Sequence, residues 1–161
     1  MEELIIHPRV RADFYKNKPN MEVFGQAVKE SKNRLCYNGD LFIKSHFEAF
    51  EKEYPQVERV MLGRGVMVNP GLLNLICEGK SLDKEVLRAF HDEFYRKNQE
   101  VLSGDRAVLF KMKELWFFMI HLFEGAEKAA KKIKKAEKRH VYEECIERLF
   151  SDYPLNQKLV K

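Results

Sequence analysis

Short apolar runs alternate with helix-like segments along the first 80 residues of the chain. Three continuously apolar runs lie at residues 4–6, 35–37 and 60–62, and each ends in polar or glycine-rich sequence. Runs of this kind are typical of strands that are buried on both faces of a parallel sheet. Apolar residues at helical spacing lie between the runs and predict helices over residues 21–32 and 44–54. This order of strands and helices predicts consecutive βα units.

The pattern changes near residue 82, after which no further strand is indicated. Long amphipathic stretches follow and predict a small helical bundle, at residues 83–102, 105–124, 126–136 and 139–151. Asp105 is the predicted N-cap of the second of these helices. We therefore predict an α/β segment over residues 1–80 and an all-α domain over residues 81–161, with the boundary between Gly79 and Asp83.

The composition excludes several classes of protein. The chain has 161 residues, of which 45% are hydrophobic and 34% charged, so it is neither disordered nor collagen-like. No apolar run approaches the roughly 20 residues that a membrane-spanning helix needs, and the N-terminal Met1-Glu2-Glu3 is acidic where a secretory signal is basic. The three cysteines are far apart and predict neither a disulfide framework nor a metal site. A reduced, cytoplasmic protein is the expectation that follows.

The net charge of +4 is too small to indicate a nucleic-acid partner by itself, but the basic residues are unevenly distributed. Residues 125–140 hold seven basic side chains and only two acidic ones. Two interpretations of this segment stay open: a solvated helix face, or a phosphate-binding stripe whose affinity for nucleic acid falls with salt. The seven are Lys128, Lys131, Lys132, Lys134, Lys135, Lys138 and Arg139.

The three predicted strands end in His7-Pro8-Arg9, Asn38-Gly39-Asp40 and Gly63-Arg64-Gly65. In parallel α/β folds the carboxyl ends of the strands share one rim, where ligands collect, so we expect these loops to be neighbours. Glycine lets backbone N–H groups approach an anion closely, and Arg64 can add a charge-assisted contact to a phosphate. Alternatively, the glycines only form turns. Asp40 is expected to cap the helix that begins near residue 43.

These strings resemble the C-terminal part of the tRNA-dihydrouridine synthases, and the resemblance covers residues 4–150. It is carried, in order, by His7-Pro8-Arg9, Tyr37-Asn38-Gly39-Asp40, Val60-Met61-Leu62-Gly63-Arg64-Gly65 and Asn69-Pro70. The resemblance implies an FMN-binding TIM barrel with an appended helical domain, in which the three strands would be the sixth, seventh and eighth. The implied fold class is α/β, a partial TIM barrel of three C-terminal βα units followed by an all-α helical bundle.

The resemblance also implies an activity, the reduction of uridine to 5,6-dihydrouridine in tRNA by an FMN enzyme with NADPH as the reductant. The family's catalytic cysteine lies in an Asn-x-Gly-Cys-Pro motif that this sequence lacks, so we assign no catalytic residue and expect the isolated chain to be inactive. Arg9 is expected to meet the tRNA or the substrate base. The implied FMN-binding residues are His7, at the flavin edge, and Asn38, Gly39, Gly63 and Arg64.

In this family the helical domain binds tRNA, which implies that basic side chains contact its phosphates and set position rather than sequence. The candidates are Lys111, Lys113, Lys131, Lys132, Lys134, Lys135 and Arg139. Trp116, Phe117 and Phe118 can stack on a base, but the core of the bundle is the favoured place for them. Tyr95 and Tyr142 are likewise interpreted as packing residues.

Three parallel strands leave two open sheet edges, and open edges are prone to pair with other chains. Besides tRNA, we therefore expect either self-association or a complementary N-terminal barrel fragment as a partner. Two other functions stay open: a non-catalytic tRNA-binding remnant, and an FMN-dependent TIM-barrel oxidoreductase that acts on a small molecule. The basic helical part argues against the small-molecule enzyme, which would not need it.

Overall fold

The computed structural model describes residues 2–13 and 16–161, a mixed α/β structure that is mostly helical and contains a three-stranded parallel sheet. It divides into two compact units, Met1–Val66 and Met67–Lys161. The division precedes the predicted boundary because Asn69 and Leu82 bond to the end of the chain: they donate to the carbonyls of Leu159 and Val160, at 2.7 and 3.3 Å. Within the described part of the chain, no helix has the length and apolar character to cross a membrane.

The first unit is built on the three predicted strands. They are parallel and adjacent in chain order: β1 (Glu3–Ile6), β2 (Arg34–Tyr37) and β3 (Arg59–Val60). Ile6 pairs with Tyr37 and Tyr37 with Val60, so the three strands end together. The connecting segments hold a 3-10 helix (Arg11–Asp13), α1 (Met21–Glu30) and α2 (Lys44–Glu53). The predicted parallel sheet is confirmed, although β3 is shorter than the apolar run at 60–62 suggests.

An aromatic cluster packs the helices of the first unit against its sheet. Phe24 of α1 is fully buried, and its ring centroid lies 4.9 Å from that of Tyr37 and 5.2 Å from that of Tyr54. The Tyr37 ring stacks on Phe50 of α2 at 4.3 Å. Aromatic pairs of this kind add about 0.5–1.5 kcal/mol each to the free energy of burial. Tyr37 is therefore held firmly at the carboxyl end of β2.

The second unit is helical, as the sequence predicts. α3 (Arg64–Val68) runs across the division, and the later helices are α4 (Leu72–Glu78), α5 (Lys84–Val101), α6 (Asp105–Met119), a 3-10 helix (Ile120–Leu122), α7 (Glu127–Lys135), α8 (Arg139–Asp152) and α9 (Gln157–Val160). The N-cap prediction for Asp105 is wrong, because Asp105 is the first residue of α6. Gly104 occupies the cap position with a φ of 85°, a conformation that glycine adopts without strain.

A buried polar chain runs through the core of the second unit. The indole N–H of Trp116 donates to the Tyr142 hydroxyl, which donates to His91 Nε2, both at 2.8 Å, while His91 Nδ1 donates to Asp92 at 2.8 Å. Burial lowers the pKa of His91 and raises that of Tyr142, so both side chains are neutral at physiological pH. Trp116 and Tyr142 are 3% and 0% exposed, which confirms their predicted place in the core.

Candidate functional site

The carboxyl ends of β1 and β2 bring His7 and Asn38 together. The pairing continues one step beyond the strands, where the Asn38 N–H donates to the Ile6 carbonyl at 2.9 Å. His7 Nδ1 lies 2.5 Å from the Asn38 carbonyl oxygen. Because a carbonyl oxygen only accepts, Nδ1 donates its hydrogen to this oxygen. The two loops are therefore neighbours, as the parallel strand order predicts.

The Asn38 side chain connects the second strand end to the third. Its amide nitrogen donates to the Met61 sulfur at 3.0 Å, and the Met61 N–H donates to the Tyr37 carbonyl at 2.7 Å. A thioether sulfur is a weak acceptor. A carbonyl or phosphate oxygen would be a stronger partner for this amide, so Asn38 is suited to bind a polar ligand group.

A cluster of three ionised side chains, Arg9–Asp40–Arg64, links all three strand ends. Arg9 donates to both carboxylate oxygens of Asp40, at 2.9 and 2.5 Å, and Arg64 donates to one of them at 2.6 Å. Burial raises the pKa of Asp40, but the Arg9 hydrogen bond and the charges of both arginines lower it more, so the net shift is downward. Asp40 is therefore ionised, and two guanidinium groups with one carboxylate give the cluster a net charge of +1.

The cluster replaces the helix cap that the sequence predicts for Asp40. Ile43 is the N-cap residue of α2 and makes no side-chain hydrogen bond to the helix, so the capping prediction is wrong. The physical reason is that two guanidinium groups bring full positive charges and several fixed N–H donors to the carboxylate, one of them binding both of its oxygens, which a helix end does not offer.

Arg9, which the sequence suggests as a tRNA contact, bonds to neighbouring groups of the first unit. Its guanidinium bonds Asp40 and also donates to the Asn17 carbonyl, at 3.0 Å from Nε and 2.5 Å from Nη2. Only 4% of the side chain is exposed. The structure therefore gives Arg9 the role of a buried partner that holds Asp40 in place.

Two of the candidate glycines differ in their surroundings. A Cβ atom at Gly39 would lie 1.9 Å from the Tyr37 hydroxyl oxygen, so only glycine fits there. A Cβ atom at Gly63 would meet nothing within 4 Å, so a ligand atom has room beside it. The next residue is Arg64, whose side chain is 33% exposed and lies over the Phe42 ring at 5.3 Å. Open space beside a guanidinium group suits an anion such as phosphate.

Cys36, the cysteine nearest to these loops in the sequence, is buried within β2. It is 5% exposed, and burial raises the pKa of its thiol, so the thiol stays protonated at neutral pH. Over residues 2–13 and 16–161, no group of three or more His, Cys, Asp or Glu side chains is arranged to hold a metal ion. The groups at the strand ends are therefore hydrogen-bond donors, two guanidinium groups and an imidazole.

Five of the seven basic residues of the segment 125–140 lie on α7. Ala129 and Ile133 are buried, whereas every lysine of the helix is exposed. None of these lysines forms an ion pair with a carboxylate of the described residues. The lysine face of α7 therefore presents uncompensated positive charge, on Lys128, Lys131, Lys132, Lys134 and Lys135.

The other residues that are predicted to contact nucleic acid interact with neighbouring side chains or are partly buried, unlike the α7 lysines. Lys111 donates to Glu114 at 2.8 Å. Arg139 Nε lies 3.9 Å from a carboxylate oxygen of Asp105 and 3.8 Å from one of Glu143. Lys113 is half-buried and lines a groove of the second unit. Among the predicted contacts, the α7 lysines therefore carry most of the uncompensated charge.

Phe117 departs from the core position that the sequence predicts for it. It is 72% exposed, whereas Trp116 is 3% exposed and Phe118 is half-buried. Successive helix residues are about 100° apart, so three aromatic residues in a row cannot all face one core. Phe110, seven residues earlier in α6, is also exposed, at 60%. The spacing of seven residues is the sequence signal that could have identified this outward-facing pair.

These observations describe a mixed α/β structure that has a cluster of net positive charge at the ends of three parallel strands in its first unit and exposed lysines on α7 of its second unit. The family model for dihydrouridine synthase matches residues 1–153. The chain therefore belongs to the dihydrouridine synthase family, a family of tRNA-modifying oxidoreductases, and the resemblance of its strand-end strings is confirmed. A comparison with curated proteins finds no match.

Proposed function

We propose that the chain acts as the C-terminal portion of a tRNA-dihydrouridine synthase. In this proposal, that portion binds the phosphate end of FMN and also binds tRNA. One observation carries the proposal: in a member of this family, His7, Asn38 and the Arg9–Asp40–Arg64 cluster meet at the carboxyl ends of three adjacent parallel strands. TIM barrels bind ligands at this edge, and often a phosphate in the loops after strands seven and eight. In the proposal, β1, β2 and β3 are the sixth, seventh and eighth strands of such a barrel, and residues 81–161 form the tRNA-binding domain.

The residues at the strand ends fit the phosphate end of FMN. Arg64 would donate to a phosphate oxygen while Asp40 holds its guanidinium, and the space beside Gly63 admits the anion. Asn38 would exchange its weak sulfur partner for a flavin oxygen, and His7 would lie at the flavin edge. The chemistry that FMN supplies when bound is hydride transfer, from NADPH to the C5–C6 double bond of a uracil ring.

This portion of the enzyme would position cofactor and substrate without supplying the proton donor. The sequence has no Asn-x-Gly-Cys-Pro motif, and Cys36 is buried in a strand with a raised pKa. We expect the isolated chain to be inactive and the complete activity to reside in the cytoplasm. β1 and β3 are the outer strands of the described sheet. A complementary N-terminal barrel fragment, or a second copy of the chain, would cover such edges.

A non-catalytic tRNA-binding module is the second candidate function. The observation that favours it is the exposed lysine face of α7, which is independent of the strand-end site. Such a module would bind tRNA with the same salt dependence but would not bind FMN. Flavin binding therefore separates the two candidates, whereas tRNA binding separates both from a flavin enzyme that acts on a small molecule.

The tRNA-binding half of the proposal is tested by replacing Lys131, Lys132, Lys134 and Lys135 together with glutamine. We expect unmodified tRNA to bind the wild-type chain with an affinity that falls steeply with salt, because bound lysines release counterions. Each lost phosphate contact lowers the slope of log K against log salt by roughly 0.7–0.9, so the fourfold variant should lose about 3 from the slope. Filter binding at several salt concentrations measures both quantities.

A matched control replaces four exposed lysines of the first unit, Lys18, Lys29, Lys32 and Lys52. This change lowers the net charge by the same amount but leaves α7 intact, and we expect most of the salt slope to remain. Equal losses in the two variants would mean that total charge, rather than the α7 face, governs binding. A wild-type chain that binds no tRNA at low salt would refute the tRNA-binding proposal itself.

A further inference from the structure

An apolar groove of about 810 Å³ lies within the second unit, along α6 and α7. Its walls include the exposed rings of Phe110 and Phe117 and the buried indole of Trp116. Large apolar side chains in contact with water are common singly, but a group of them lining one groove indicates a binding surface.

The two phenylalanines are placed by the helix period. Phe110, Lys113, Glu114 and Phe117 follow the spacing i, i+3, i+4 and i+7, so they form one stripe on α6. The core of the second unit is filled by the opposite face of this helix, where Met112, Leu115 and Met119 are buried. The stripe is therefore not required for packing within the described part of the unit.

The charges around the groove indicate an anionic occupant. Lys113 and Lys134 are among its lining residues, and Lys134 belongs to the lysine face of α7. The acidic residue of the stripe, Glu114, is neutralised by Lys111 at 2.8 Å. Aromatic faces bordered by lysines match the chemistry of unpaired nucleic acid, in which bases stack on rings and phosphates meet cations.

We propose that this groove binds an unpaired RNA segment, with bases stacked on Phe110 and Phe117 and adjacent phosphates at Lys113 and Lys134. The inference rests on the proposed tRNA-binding function and deepens it, because it assigns unpaired bases to a groove that borders the lysine face of α7 and shares Lys134 with it. A double-stranded segment would not bind in this way, because its bases are stacked on one another and cannot stack on the two phenylalanine rings.

The single tryptophan of the chain supplies a direct readout, since Trp116 lines the groove. A uridine octanucleotide is titrated into the full chain while the indole fluorescence is followed. We expect saturable quenching by the octanucleotide and little by the same length of A–U duplex. A double change, Phe110→Ala with Phe117→Ala, should weaken octanucleotide binding at least tenfold, because it removes both rings on which bases stack.

Three further variants identify what the groove recognises. Phe117→Leu keeps the apolar bulk but removes the aromatic face. If bases stack on Phe117, this variant should bind the octanucleotide more weakly; if the contact is merely apolar, its affinity should not change. Phe90→Ala, which removes an exposed ring of α5 that does not line the groove, should bind like the wild type. The salt slope should be unchanged in all three phenylalanine variants and should fall in Lys113→Gln, because only the lysine is assigned to a phosphate. Circular dichroism melts verify that each variant is folded.

The outcomes separate this inference from the proposed function. If tRNA binds with the expected salt slope but the folded Phe110→Ala, Phe117→Ala variant binds the octanucleotide as tightly as the wild type, the groove proposal is overturned and the tRNA-binding proposal stands. If a leucine- and glutamate-rich helical peptide quenches Trp116 and the octanucleotide does not, the groove is a protein-docking site and the proposal is likewise overturned. If neither tRNA nor the octanucleotide binds, both proposals fail.

Discussion

Replacing Asp40 with alanine is expected to destabilise the first unit by about 2–4 kcal/mol, because removal of one partner leaves a buried charge uncompensated. The charge left uncompensated is that of Arg9. Its side chain is only 4% exposed, and its guanidinium donates to both carboxylate oxygens of Asp40. The loss should lie below the upper end for fully buried pairs, since the Asp40 side chain retains 27% exposure. Hydrogen exchange measured on peptides from β1 and β2 reports this loss within the first unit.

Two other variants serve as comparisons for the stability of Asp40→Ala. Asp40→Asn keeps the shape and one acceptor oxygen, so its effect should be smaller than that of alanine. Glu144→Ala breaks an exposed pair with Arg148 on α8, and should change the free energy of unfolding by less than about 1 kcal/mol. If Asp40→Ala costs no more than Glu144→Ala, the cluster is not what holds the three strand ends together.

Replacing Gly39 with alanine should destabilise the first unit by about 3 kcal/mol or more, at the upper end of the range for overpacking. The new Cβ would lie 1.9 Å from Oη and 2.0 Å from Cζ of Tyr37. The Tyr37 ring has little room to move aside, since it is 4% exposed and packed between Phe24 and Phe50. Urea unfolding followed by far-ultraviolet circular dichroism, together with exchange of β2 amides, measures the effect.

Gly63→Ala is the matched control, because the added methyl group would meet no atom within 4 Å. Its free energy of unfolding should differ from that of the wild type by less than about 0.5 kcal/mol, as for most surface substitutions. A Gly39→Ala variant that is as stable as Gly63→Ala would show that the loop after β2 moves freely away from Tyr37. The strand ends would then not form a rigid site.

The arrangement of strands and helices could be predicted from the sequence because it depends on local periodicity. The runs at 4–6 and 35–37 coincide with strands, and the amphipathic stretches coincide with helices, since both signals come from residues close together in the chain. The third strand is shorter than its apolar run, because pairing with a neighbour rather than hydrophobicity decides where a strand ends.

Contacts between distant residues could not be predicted in this way. Asp40 is a good capping residue by local rules, but it bonds Arg9 and Arg64, which are 31 and 24 residues away. No pattern in a single sequence states which of several acids will meet which base. The exposure of Phe117 differs from its prediction for another reason: its hydrophobicity indicates burial, and only its helical phase relative to Trp116 places it outside.

The proposed function makes the three strand ends the binding site for the phosphate of FMN. Its most direct test is to titrate the chain with FMN and, separately, with riboflavin, which lacks the phosphate, while flavin fluorescence is followed. We expect FMN to bind at least about tenfold more tightly than riboflavin, because a charge-assisted hydrogen bond contributes roughly 1.5–3 kcal/mol. The preference should disappear in Arg64→Gln and shrink in Gly63→Ala, with riboflavin binding unchanged in both. Equal affinity for the two flavins, or no binding of FMN, would contradict this proposal.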